Sequence, residues 1–118
     1  MKRTMLKAKI QKLTVTEANL EYEGSLTLDS GLMETADMKP FEQVHVYNIS
    51  NGERFSTYLI KGPKDSGAVG VNGAAVHKAK EGDRLIVASY VVLEEEEIDF
   101  FMPKILIVGE DNKVKEIK

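Results

Sequence analysis

A serine that directly follows a glycine, as Ser25 follows Gly24, can attack the carbonyl that precedes it. Its hydroxyl lies one residue from that carbon, and glycine has no Cβ to block the approach and tolerates strained backbone angles. The attack turns an amide into an ester through an oxyanion, which calls for a nearby hydrogen-bond donor. Taken locally, Tyr22-Glu23-Gly24-Ser25 reads first as an ordinary turn between two extended stretches. A second group follows Asn51-Gly52, in Arg54-Phe55-Ser56-Thr57-Tyr58. In an extended chain Arg54, Ser56 and Tyr58 share one face, and Phe55, Thr57 and Leu59 the other. The planar fork of Arg54 suits a bidentate carboxylate clamp, with Tyr58 beside it as a proton donor. The plainer alternative is a hairpin with an exposed arginine and a cross-strand tyrosine. Asn72-Gly73-Ala74-Ala75 offers small residues and free backbone N–H groups at a helix start, either an anion seat or a turn before a packed helix. Lys9, on a strand, reads first as a solvated charge. His45 and His77 have no convincing Ser, Asp or Glu arrangement around them in sequence, and no metal site is expected. The Walker and dinucleotide-binding spacings are absent.

These residues must be held by short strands separated by turn signals. Lys7 to Val15 alternates loosely, with Ala8, Ile10 and Lys12 against Lys9, Gln11 and Leu13. Leu20 to Leu28 reads as extended, broken at Gly24-Ser25. Asp29 or Ser30 can cap a short helix through about Asp37, and Pro40 ends it. Val44 to Ile49 and Arg54 to Ile60 flank Asn51-Gly52, a pair that tolerates positive φ at both positions and so signals a hairpin. Gly62 to Gly70 is a loop, and residues 72–79 form a turn opening a short helix that Glu81-Gly82-Asp83 closes. Arg84 to Leu93 is a long β-branched strand buried on both faces in its middle. Glu94 to Glu97 is a solvated turn or helix start. Ile105 to Val108 and Val114 to Ile117 form a last hairpin around Gly109-Glu110-Asp111-Asn112. Many short strands with small helices suggest a closed β-barrel, which removes exposed edges.

Composition narrows the function classes. The 118 residues form one domain on length, with 42% hydrophobic and 30% charged content that fits a folded globular chain. With no cysteine there is no disulfide, thiolate metal site or thiol nucleophile. A net charge of -3 gives no electrostatic footprint for nucleic acid. The basic start is not followed by an apolar stretch, because Lys7, Lys9, Gln11 and Lys12 interrupt it, so no signal peptide is expected. The longest apolar run, Leu85 to Leu93, is too short to span a bilayer. A cytoplasmic protein without membrane or nucleic-acid partners is the expectation.

In order and spacing, the segments together resemble the bacterial pyruvoyl-dependent aspartate 1-decarboxylase family across nearly the whole chain. The matching words are Arg3-Thr4-Met5-Leu6, Lys9, Val15-Thr16, Ala18-Asn19-Leu20 and Tyr22-Glu23-Gly24-Ser25. They continue with Asn51-Gly52, Arg54-Phe55-Ser56-Thr57-Tyr58, Val71-Asn72-Gly73-Ala74-Ala75 and Gly82-Asp83. The resemblance implies a double-psi β-barrel assembled as a homotetramer, with sites at subunit interfaces. It implies a zymogen that cuts itself at Gly24–Ser25 into residues 1–24, the beta chain, and 25–118, the alpha chain. Ser25 then becomes a covalent pyruvoyl cofactor that forms a Schiff base with L-aspartate. The implied lyase reaction yields β-alanine and CO2 for pantothenate synthesis.

Carried over position by position, the resemblance makes Tyr58 the proton donor and Thr57 a helper in cleavage. Lys9 and Arg54 hold substrate carboxylate, while Thr57, Gly73, Ala74 and Ala75 line the pocket, with Tyr22, Tyr47 and Asn72 near it. Strand alternation separates Thr57 from Tyr58, a tension with this scheme. Gln11 stands where many members carry histidine, and Tyr47 where a tryptophan is common. A maturation helper protein is a further expected partner in some bacteria. Two rival expectations are a non-catalytic small barrel that binds a ligand or nucleic acid, and the same enzyme acting on another substrate such as glutamate.

Overall fold

A computed structural model describes residues 1–118. The chain forms nine strands: β1 Lys2–Thr14, β2 Glu17–Asn19, β3 Ser25–Asp29, β4 Gln43–Asn48, β5 Arg54–Gly62, β6 Val69–Asn72, β7 Arg84–Glu94, β8 Lys104–Val108 and β9 Val114–Ile117. Helices α1 (Ser30–Ala36) and α2 (Glu95–Ile98) and a 3-10 turn over Gly73–His77 complete it. The strand order is β2-β6-β3-β5-β4-β7-β1-β8-β9. Where β1 ends, the Thr16 backbone N–H donates to the Val69 carbonyl at 2.8 Å, and the Val69 N–H donates to Thr16 Oγ1 at 2.9 Å. These bonds tie the run after β1 to β6, two strands that lie far apart in the ladder, and so curl the sheet on itself. The fold is mainly β, the double-psi β-barrel that the resemblance implied. No helix is long and apolar enough to cross a membrane.

Strand alternation sends one face of the sheet inward. Ala8, Ile10, Val44, Val46, Leu59, Leu85 and Val87 are all fully buried there. Each large aliphatic side chain so buried contributes roughly 1.5–3 kcal/mol. The loose alternation of β1 has a local cause. Lys12 has φ 71°, and the register against β7 shifts between Ile10 and Leu13. This bulge turns Leu13 back into the core, where it is fully buried, and leaves Lys12 exposed.

Asp29 caps α1 as expected, accepting from the Gly31 N–H at 2.8 Å. The helix stops at Asp37, which takes a left-handed conformation (φ 58°), so the stop precedes Pro40 by three residues. The Asn51-Gly52 connection also departs from the two-residue turn with two positive φ angles. Gly52 alone has positive φ (78°), and the loop is wider, closed by the Asn48 N–H donating to Glu53 O at 2.9 Å. The helix expected after Asn72 is the short 3-10 turn. The acidic run Glu94 to Glu97 starts α2 with a reciprocal capping box between Glu94 and Glu97.

Candidate active site

Ser25 opens β3, paired with Asn72 of β6, and is only 1% exposed. Its hydroxyl donates to the Glu23 carbonyl at 3.0 Å and accepts from Asn72 Nδ2 at 3.1 Å. Asn72 Nδ2 also donates to Thr27 Oγ1 at 2.9 Å, so the amide is anchored independently of Ser25. The nucleophile is therefore folded back along the residues that precede it. A neutral donor on its oxygen favours the developing negative charge when it gives up a proton.

The backbone before Ser25 is unobstructed on one side and tightly packed on the other. A Cβ built on Gly24 would meet nothing within 4 Å. A Cβ on Gly73, whose φ is +67°, would come within 2.7 Å of both Gly24 Cα and Gly24 N, and 3.0 Å of Tyr22 O. Only glycine at position 73 lets the 22–24 segment rest against the 3-10 turn. A cleft of about 300 Å³ opens there, lined by Gly24, Phe55, Ser56, Thr57, Ala74, Ala75 and Lys78. A larger cleft of about 430 Å³, containing Asn51, His77 and Lys80, includes none of the expected catalytic residues.

The remaining expected residues lie along the opposite, outer face of the sheet. Across β4 and β5, Arg54 pairs with Tyr47, Ser56 with His45, and Tyr58 with Gln43. His45 and Lys9 both pair with Ala88 of β7, which extends the row to β1. The Arg54 guanidinium lies 4.7 Å over the Tyr47 ring, and Arg54 has no carboxylate partner among the ion pairs of the chain. The Tyr47 hydroxyl is 2.8 Å from the Tyr90 hydroxyl. Tyr58 packs against Phe41, ring centroids 6.2 Å apart.

Alternation does separate Thr57 from Tyr58, and only Thr57 lines the cleft that holds Gly24. Leu26 pairs with Leu59 across β3 and β5, so the pairing of these strands begins one residue after both Ser25 and Tyr58. Arg54 is four residues from Tyr58, about 13 Å along the strand, and Lys9 lies three strands away, about 14 Å across. One chain thus gathers Gly24, Ser25, Thr57, Asn72, Gly73, Ala74 and Ala75, with Tyr22 touching from the preceding turn. No hydrogen bond joins Lys9, Tyr47 or Arg54 to Ser25, whose hydroxyl meets only Glu23 and Asn72. Tyr90 was missed in the sequence, because no local pattern announces a contact between residues 43 positions apart.

The residues present suit a group made from Ser25, because the nucleophile, a glycine with open space beside its Cα and an anchoring amide stand together. No cluster of three or more His, Asp or Glu side chains comes together anywhere.

Comparison with known proteins gives a consistent result. A family model described as aspartate decarboxylase matches residues 1–115. The aspartate 1-decarboxylase of Ralstonia nicotianae is 49% identical over 118 residues, all of this chain and 98% of that protein. Those of Cupriavidus necator and Polynucleobacter asymbioticus are 51% and 50% identical over the same 118 residues, again covering 98% of each relative.

Proposed function

The chain belongs to the aspartate decarboxylase family, and from that premise we propose that it is a precursor that cuts itself at Gly24–Ser25 and then converts L-aspartate to β-alanine and CO2, a carboxy-lyase reaction that supplies pantothenate synthesis. The observation that carries the reading is the Ser25 hydroxyl, buried, turned back towards Glu23 and held by Asn72 beside an unobstructed Gly24.

In the first stage Ser25 Oγ bonds to the Gly24 carbonyl carbon and the Gly24–Ser25 C–N bond breaks, leaving an ester and a free amine. Thr57, lining the Gly24 side, steadies the oxyanion. Loss of the Ser25 Cα proton and breakage of its Cβ–O bond release the Gly24 carboxylate. Water then replaces the nitrogen, ammonia departs, and a pyruvoyl group remains at position 25. That group supplies the electron sink that no unmodified side chain offers.

In the second stage the chain's own residues bind and protonate. Arg54, unpaired within the chain and planar, clamps a substrate carboxylate, and Lys9 supplies a second cation on the same face. Tyr58 Oη holds the proton that goes to the carbon vacated by CO2. Gly73, Ala74 and Ala75 bound the cleft with small side chains. Arg54 and Lys9 make no hydrogen bond with Ser25 within the chain and lie on the outer face. That placement supports an assembly in which these residues face the Ser25 of a neighbouring copy, as in a homotetramer.

Intact mass tests both stages. The wild-type protein should resolve into residues 1–24 and a pyruvoyl-started 25–118, and Ser25→Ala should remain one chain without β-alanine production. An uncut Ser25→Ala protein that still makes β-alanine at the wild-type rate would overturn the mechanism.

A further inference from the structure

The outer face of β4, β5 and β7 carries a linked group of side chains that reaches beyond the expected site. Arg54 rests on the face of Tyr47, Tyr47 meets Tyr90 hydroxyl to hydroxyl, and the Tyr90 ring meets His45 edge-on, centroids 5.2 Å apart. The register shows how far Tyr90 reaches. Tyr47 pairs with Ile86 and His45 with Ala88, so Tyr90 lies two further steps along β7, on the same face. To touch Tyr47 it must lie back along the strand, past the small Ala88 and against His45. Diagonal neighbours this far apart meet only when both side chains are long.

Arg54 has no acidic partner that would fix its direction. Its guanidinium makes no side-chain hydrogen bond and rests on the Tyr47 ring, whose hydroxyl meets that of Tyr90. We propose that Tyr90 is a positioning residue for carboxylate recognition, its hydroxyl locking Tyr47 so that the Tyr47 ring holds the Arg54 fork ready for substrate. The inference rests on Arg54 as the carboxylate clamp. A flexible guanidinium that is already ordered loses less freedom when it binds, and that saving appears as affinity. The ring face adds a cation–π attraction that a tumbling Tyr47 could not supply. Tyr90 holds its proton more tightly than an ordinary tyrosine, first through the bond to Tyr47 and then through burial, with the Arg54 charge opposing both. Tyr90 itself touches no substrate.

The test uses cleaved protein, with L-aspartate for turnover and succinate, which lacks the amine, as the binding probe in calorimetry. Tyr90→Phe removes one oxygen and keeps the ring against His45. KM for aspartate and Kd for succinate should both rise about 3- to 10-fold, the worth of one hydrogen bond, with kcat within about twofold of wild type. Tyr47→Phe should do the same, and the double variant should be no worse than either single one, because both break one bond. Unchanged succinate affinity in Tyr90→Phe, or additive losses in the double variant, would overturn the proposal. Arg54→Ala separates the two levels. If it abolishes succinate binding while Tyr90→Phe leaves it unchanged, only the positioning role falls. If Arg54→Ala also leaves it unchanged, the clamp and everything built on it fall together.

Discussion

Arg54 is an exposed cation with an aromatic ring beneath it and no carboxylate beside it. That combination leaves the guanidinium fork free to take a carboxylate. Lysine in its place keeps the charge and loses the fork and most of the stacking. Arg54→Lys is expected to raise KM for aspartate by about 10- to 100-fold, the scale of a charge-assisted hydrogen bond, with cleavage at Gly24 still complete by mass. A KM within twofold of wild type would remove Arg54 from the carboxylate. The face that Arg54 shares with Ser56 and Tyr58 was legible from alternation alone, since a strand has only two faces. The bond from Tyr47 to Tyr90 was not, because it depends on how β4 and β7 are set side by side. The hold of Asn72 on Ser25 was equally hidden, since it exists only once β3 pairs with β6.

At the scale of elements, Asp29 shows how a legible cap can conceal a larger task. Its carboxylate caps α1 as the sequence suggested, and also accepts from the Asp65 N–H at 2.9 Å and the Gly67 N–H at 2.9 Å. One buried side chain thus joins the start of α1 to the loop between β5 and β6. Burial acts to raise its pKa, but the bonds from Gly67, Gly31 and Asp65, helped by the nearby charge of Lys113, lower it overall. A folded-state pKa below the unfolded value, about 3.9, stabilises the fold fully above that value. The stabilisation drains away as pH falls through the lower folded pKa. Asp29→Asn turns one acceptor towards the N–H groups into a donor and should cost about 1–3 kcal/mol at neutral pH. Denaturant unfolding followed from pH 7 to below pH 4 should show wild type losing its advantage over Asp29→Asn at the acid end. A constant gap across that range would mean the carboxylate charge is not what matters. The β1 bulge was half-legible, since a strand whose alternation slips at Lys12 and Leu13 must either bury a lysine or add a residue.

For the whole molecule, the proposed site spans the Ser25 end of β3 and the Arg54–Lys9 region of the outer face, which no hydrogen bond joins within one chain. On the proposed reading a second copy completes the site. Co-expressed Ser25→Ala and Arg54→Ala subunits should then recover activity that neither has alone. The first lends an intact Arg54 to the cofactor-bearing second. A mixture no more active than its components would place the complete site within one chain. The barrel itself was legible from short strands and turn spacing, although the strand order was not. That order depends on non-local pairings such as Thr16 with Val69, which no window of sequence contains.

The position of β1 in that order carries one more consequence. It is hydrogen-bonded between β7 and β8, in the interior of the ladder, and it belongs to the residues upstream of Gly24. On the proposed cleavage, the small piece would be a structural member with no covalent tie to the rest, not a discarded propeptide. The barrel would then close while it is one polymer, with scission afterwards. A cut molecule that unfolds would refold by another route, because two polymers must find each other where one had only to fold. Its recovery would depend on concentration, whereas that of the uncut chain would not.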